Sequence, residues 1–300
     1  MSKSYLTIDE YKRAPTSINV NKLDNTNINI QNAQDAELSN VIRRASAWID
    51  NYCQMPSGLS ATINTETKPT HITRDGFLRV QPYNAPIIQV SNVQWRLYPS
   101  ASWTIIDISN IQVYERHFEA MIWFQYLGNS MLTLGNNFAY PVNSYYSTYI
   151  SPSMGSNIEN TQITVQYTYV NGYANTTLQN NASMGNSSIV VNDTTGIMNG
   201  TLLTLYDGAN TEDITVLSLT GNTLQLSNPL LFNHNAKIAV SAIPADIKQA
   251  CILVVNYFLK ERGSNAIAMA NVEAPTKQKS NDEKDLELAK QLLRRYRKVV

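Results

Sequence analysis

Residues 202–226 read LLTLYDGANTEDITVLSLTGNTLQL, and the fold class turns on this stretch. Runs rich in Leu, Val, Ile, Thr and Tyr are separated by Asp207-Gly208 and Gly221-Asn222, dipeptides whose tolerance of positive φ suits tight hairpin turns. The pattern predicts antiparallel strands at 202–206, 212–219 and 223–226. Similar runs at 188–191 and 238–242 flank them. Residues 183–242 therefore read as a self-contained small β-unit, a barrel or sandwich inserted ahead of the next helix.

Working towards the N-terminus, residues 72–169 carry Val-, Ile-, Trp- and Tyr-rich segments punctuated by Asp75-Gly76, Asn84-Ala85-Pro86 and Tyr98-Pro99-Ser100. Strands are expected at 72–80, 87–97, 102–108, 111–114, 120–126 and 163–170. The stretch 128–160 is crowded with Asn, Ser, Tyr and Gly, lacks either period and reads as a long irregular loop. Before this region Leu38, Ile42, Ala45, Ile49 and Cys53 recur at helical spacing, with Trp48 and Tyr52 widening the stripe. The spacing predicts a helix over 35–54, stopped by Pro56 and Gly58.

Towards the C-terminus, Pro244 suits a first helical turn, and Ile247, Ala250, Cys251, Val254, Tyr257 and Phe258 build the apolar face of a helix reaching Arg262, with Gly263 as its cap. Residues 264–279 read as a linker broken at Pro275. Ser280 and Glu283 then form a capping-box pattern ahead of a last helix with Leu286, Ala289, Leu293 and Tyr296 on one face. The expected fold is α+β: a helical core, an antiparallel β-region and an inserted small β-barrel or sandwich. It divides into an N-terminal arm (1–34), a helix with a β-region (35–182), the β-unit (183–242), a core helix (243–263) and a linker with a terminal helix (264–300).

Composition narrows the function classes. Lys plus Arg and Asp plus Glu both total 23, so no net field draws the chain to nucleic acid or anionic membrane. Residues 1–240 hold 12 basic and 16 acidic side chains, and residues 241–300 hold 11 and 7, so the basic end is where a partner is expected. Charged residues are only 15% of the chain, against about 25% in ordinary soluble domains. The two cysteines give neither a disulfide framework nor a metal spacing and read as buried hydrophobes. No apolar run is long enough for a membrane span, and the first residues have no leader-like apolar stretch, so the chain is expected to remain in the cytosol where it is made.

The chemistry-bearing patterns are missing. His71, His117 and His234 are each isolated in sequence and read as surface or satisfied core residues, no His-x-x-x-His or Cys-x-x-Cys occurs, and no Gly-x-Ser-x-Gly elbow or phosphate-cradling glycine loop is present. Glu212-Asp213 reads as a solvated strand edge, and Asp282-Glu283 as partners of a helix dipole. No catalytic residue, cofactor or metal is expected.

The order of parts carries a resemblance. A YLTIDEYKRAP opening precedes the helix LSNVIRRASAWIDNYCQMP, then a β-region entered through DGFLRVQPYNAPIIQVSNVQWR, and finally helices beginning IPADIKQACILVVNYFLKERGS. The chain resembles the head-tail connector (adaptor, or head completion) family of tailed bacteriophages. There, an Ala-Ser-x-x-Ile-Asp-x-Tyr helix leads into a Pro-Ile-x-x-Val segment, and a late helix opens with Pro-x-Asp-Ile-Lys-Gln-Ala. The unit SSIVVNDTTGIMNG to NHNAKIAVSAIP is also similar to a β-module of phage structural proteins. These matches touch about half the chain, which is longer than the compact, mostly helical adaptors.

The resemblance implies a non-enzymatic virion protein of the neck, assembled in the host cytoplasm. It would form a homo-oligomeric ring, dodecameric in the family, between the portal protein and the stopper or tail proteins. The genome would pass through the lumen without sequence-specific binding, and no membrane is involved. Family members engage the portal through their C-terminal helix or tail. Here that implies Leu286, Leu293 and Tyr296 as apolar contacts and Arg294, Arg295, Arg297 and Lys298 as charged ones. Leu38, Ile42, Ala45 and Ile49 would pack with Ile247, Cys251, Val254 and Phe258 as the subunit's helical core. The rival readings are another phage neck or tail component and a carbohydrate-binding β-protein.

Overall fold

The computed structural model describes residues 3–16, 18, 20, 23, 31–73, 77–121, 162–267 and 275–298, the side chains of 261–283 excepted. Over these residues the protein is α+β with mostly antiparallel sheets and few helices. Two compact units are present, Met1–Thr62 with Gly172–Val300, and Ile63–Asn171. The expected strand at 120–126 lies partly, and the loop at 128–160 wholly, outside the described residues.

The first unit opens with α1 (Ile8–Arg13), a single short helix closed by a capping box in which Thr7 and Glu10 satisfy each other's backbone amides. α2 (Gln31–Cys53) follows, four residues longer at its start than the apolar stripe predicts. Leu38, Ile42, Ala45, Ile49 and Cys53 are all buried, and Gln34, Ser46 and Asp50 lie buried among them.

In the second unit β1 (Thr62–His71), β2 (Phe77–Val80), β3 (Ile87–Arg96), β4 (Thr104–Ile105), β5 (Ile111–Val113), β6 (Phe118–Met121) and β7 (Gln162–Asn171) form two sheets. Their orders are β1-β7-β3-β4 and β2-β6-β5. One cluster fills the space between, from Ile72, Leu78 and Val80 through Val93, Trp95 and Phe118 to Val165, Tyr167 and Tyr169. Two expectations need correction. The segment 72–80 is not one strand: Ile72 makes only an isolated bridge, to Leu78, and pairing resumes at Phe77. The segment 102–108 shortens to Thr104–Ile105, because a 3-10 turn, Ile108–Asn110, capped by Asp107, bends the chain away.

The chain then returns to the first unit with β8 (Asn175–Thr177), β9 (Ser188–Val190), β10 (Leu202–Tyr206), β11 (Glu212–Thr220), β12 (Thr223–Leu226) and β13 (Ala239–Ser241). They form one sheet in the order β8-β13-β10-β11-β12-β9. The Gly221-Asn222 turn forms as read, with Thr220 opposite Thr223 and Gly221 at φ +58. The Asp207-Gly208 corner is wider than a two-residue turn, because a 3-10 turn, Gly208–Asn210, separates β10 from β11. Leu178 bridges Val191, and Asn192 donates to the Thr177 carbonyl at 3.0 Å, so residues at the two ends of the strand order also bond to each other. Leu178, Val191, Leu203, Leu205, Leu224 and Val240 head this sheet's own apolar cluster.

α3 (Ala245–Ile267) packs against both α2 and α4 (Pro275–Leu293). It buries Ile247, Ala250, Cys251 and Val254 as expected, but also Leu253, Val255 and Leu259, so its apolar surface wraps beyond one stripe. Phe258, expected in the core, is only half-buried. Gly263 does not cap α3: the helix runs on to Ile267, and a lone glycine costs a helix interior only about 1 kcal/mol. Pro275 starts α4 instead of breaking a linker, since a first-turn proline loses no helical hydrogen bond. The Ser280 and Glu283 pattern thus falls inside α4, not at its start.

Candidate docking surface

The last described turns of the chain are pinned to the helices. Ala289 and Leu293 are fully buried, Leu286 is half-buried, and Lys260 of α3 pairs with Asp285 at 2.6 Å. Tyr52 of α2 donates its hydroxyl to the Lys290 carbonyl at 3.3 Å. Beyond α4 a 3-10 turn, Arg294–Tyr296, redirects the backbone so that the Lys298 amide donates to the Cys53 carbonyl at 3.0 Å, at the last residue of α2.

On this anchored backbone the basic side chains divide into two kinds. Arg295 reaches back to Asp246 in the first turn of α3 at 3.0 Å, and its guanidinium also contacts the Tyr296 hydroxyl and ring. That hydroxyl and the tyrosine's charge raise the arginine's pKa further, while burial raises that of Tyr296. Tyr296 meets Tyr173 edge-to-face at 6.4 Å between centroids. Arg297 lies over the Tyr52 ring at 5.6 Å, and Tyr52 stacks in turn on Trp48 at 5.4 Å. Arg294, Arg295 and Arg297 are all exposed, Arg295 despite its ion pair, and Lys298 is half-buried.

This distribution revises the residue roles. Leu293, read as an apolar contact for a partner, is enclosed by its own chain and cannot also be offered outward. Tyr296 is half-buried in the same way. Asp246, Trp48, Tyr52 and Tyr173, which shape the surface, are not identified by the sequence reading. Trp48 and Tyr52 do appear in it as the widened edge of the α2 stripe, and that widening is the signal.

Other singled-out residues fall elsewhere. Cys53 and Cys251 are buried, and burial pushes both thiols up to about 12, so neither is a nucleophile at neutral pH. His71 and His117 lie in the second unit, His117 stacked on Tyr114 at 4.5 Å. His234, isolated in sequence, is a partnered core residue, buried between Asp207 and Glu212. Glu212 is buried too, not a solvated edge, whereas the neighbouring Asp213 is exposed and accepts from Thr204. Among the described residues no group of three or more His, Cys, Asp or Glu side chains is placed to hold a metal ion, and no helix is long and apolar enough to cross a membrane. No protein-family model and no curated protein matches the chain.

Proposed function

We propose that the chain is a non-enzymatic structural protein of the neck of a tailed bacteriophage. It acts as a head-to-tail adaptor that closes into a ring between the portal and the stopper or tail, through whose lumen the genome passes. The observation that carries this reading is the basic terminus anchored on α2 and α3: exposed Arg294 and Arg297 project from a backbone held by buried Leu293 and by the Lys298 bond to Cys53. A backbone already in place before binding loses little entropy when a partner arrives, and the charged groups it carries favour rapid, specific encounter. The order of motifs along the chain supports the same family.

In this reading α2, α3 and α4 are the helical core of the subunit, and the six-stranded sheet is a small closed barrel attached to it. Copies of the chain, twelve in the family's rings, would contact each other through a heterologous interface that closes. Zero net charge suits a lumen that conducts DNA, because strong phosphate contacts would retard passage.

The test is electron microscopy of particles carrying the cognate portal, mixed with the full chain or with an R294E/R297E variant. Both substitutions are at exposed side chains, so the fold should survive them. Ring density beneath the portal with the wild type and its loss with the variant is the expected result. Absence of a ring with the wild type sinks the adaptor reading. Exposed Tyr83, Tyr98 and Tyr114 favour the carbohydrate-binding alternative, and binding on a glycan array would select it.

A further inference from the structure

Residues 3–13 run across three parts of the first unit. Tyr5 is buried against α2, where its amide donates to Ser46 Oγ at 3.0 Å and its hydroxyl meets the Asp50 carboxylate. Tyr11, fully buried, donates to Asn256 of α3 at 2.7 Å, and Glu10 pairs with buried Lys248. At the ends of this strap, cations reach the sheet: Lys3 pairs with Asp193, and Arg13 Nη1 donates to Asp207 Oδ1 at 3.0 Å. Gly208 makes room for that guanidinium, since a Cβ there would stand 2.7 Å from Arg13 Nη1.

Asp207 is also the first member of a buried polar chain. Its other oxygen, Oδ2, faces His234 Nδ1 at 3.3 Å, and His234 Nε2 faces Glu212 Oε1 at 2.7 Å. Glu212 then accepts the backbone amides of Leu231 at 2.9 Å and Phe232 at 3.1 Å. The side chains of Asp207, His234 and Glu212 are 9%, 0% and 5% exposed, so water cannot replace a lost partner without local opening. The loop at the far end is apolar and outward-facing. Leu231 is 66% exposed and Phe232 39%, beside Met184, whose amide donates to the Asn233 side chain.

We propose that this chain of contacts couples the two places: seating of the N-terminal strap through Arg13 fixes the loop that displays Leu231 and Phe232. A carboxylate already fixed by Arg13 loses less freedom when it meets His234, and a buried ring between two carboxylates passes a displacement of one on to the other. The strap is thus a positional control on an exposed apolar loop, independent of whether that loop meets a tail protein, another copy or neither.

Hydrogen exchange tests this directly. Arg13 is half-exposed, so R13Q removes its ion pair without opening the core. The expected result is exchange at the Leu231 and Phe232 amides accelerated by about tenfold, with K3Q leaving them unchanged because Lys3 pairs with Asp193 and not with Asp207. Coupling free energies are reciprocal, so E212Q should in turn accelerate exchange at the Tyr11 amide of α1 and at the amide of its C-cap, Ala14. Should E212Q loosen β10 and β11 throughout, the R13Q measurement alone decides. Acceleration by R13Q confined to residues 7–16, with 230–234 at the wild-type rate, overturns the proposal.

Discussion

Asp193 illustrates how one side chain makes the strap sensitive to pH. Burial raises its pKa, but the Lys3 ammonium, the Thr195 hydroxyl and the Thr195 amide outweigh that and bring it down to about 2. A carboxyl depressed in the folded state stabilises the fold above its unfolded pKa of about 3.9, and the stabilisation is lost as pH falls through the folded value. The stability gap between wild type and D193N is therefore expected to be constant above pH 5 and to close between about pH 4 and 2. The gap should be small, because the pair is partly exposed and screened by salt. Denaturant titrations at low ionic strength measure it, and a gap unchanged down to pH 2 would contradict the assignment. Neither this contact nor the setting of His234 is legible in the sequence. Lys3 and Asp193 lie 190 positions apart, and the partners of His234 stand 22 and 27 residues away. Only folding makes a cluster from residues so spaced.

At the scale of elements, Glu10 serves two masters. Its Oε2 accepts the Thr7 amide in the α1 capping box, and its Oε1 neutralises Lys248, whose pKa burial lowers and Glu10 raises. T7A should cost about 1 kcal/mol, the usual worth of an N-cap. E10Q should cost about 3–5 kcal/mol, because it leaves a buried ammonium without its counter-charge. Urea unfolding separates the two, and equal losses would show that Lys248 does not depend on Glu10. The Thr7-x-x-Glu10 signature was present in the sequence, yet six residues are too few to show a helical period, so α1 was hidden within an apparently featureless arm. β10 and β12 are legible to the residue because apolar alternation and turn chemistry coincide there. β1, reading TINTETKPTH, carries neither. It lies at the end of its sheet, half-buried and exposed residues alternate along it, and polar side chains with a proline suit such an edge. Pro275 misleads for the opposite reason: proline ends helices and also begins them, and only neighbouring structure tells which.

On the scale of the whole molecule, the second unit is an excursion whose two ends leave the first side by side. The Ala61 amide donates to the Tyr173 carbonyl and the Tyr173 amide to the Leu59 carbonyl, both at 2.7 Å. Gly172, at φ +86, permits this close approach, since a Cβ would fall 2.6 Å from the Leu59 carbonyl oxygen. A reading that follows the chain cannot see the arrangement. It places residues 35–182 together, although β7 pairs with β3 across 68 to 84 positions and the unit boundary falls immediately after β7. Each unit has an apolar cluster of its own, and a short loop replacing a long one changes closure entropy only slowly with length. Replacing residues 63–171 by a short Gly-Ser linker should therefore leave the four helices and the six-stranded sheet folded. The shortened chain is expected to keep a cooperative thermal transition, with the same hydrogen-exchange protection in α2, α3 and β10 to β12 as in the full chain. Loss of that protection would mean that the first unit draws its stability from residues it does not contain. Retention would locate the pinned basic terminus and the strap in a body able to hold them unaided, where the proposed portal contact through Arg294 and Arg297 can be tested apart from the rest.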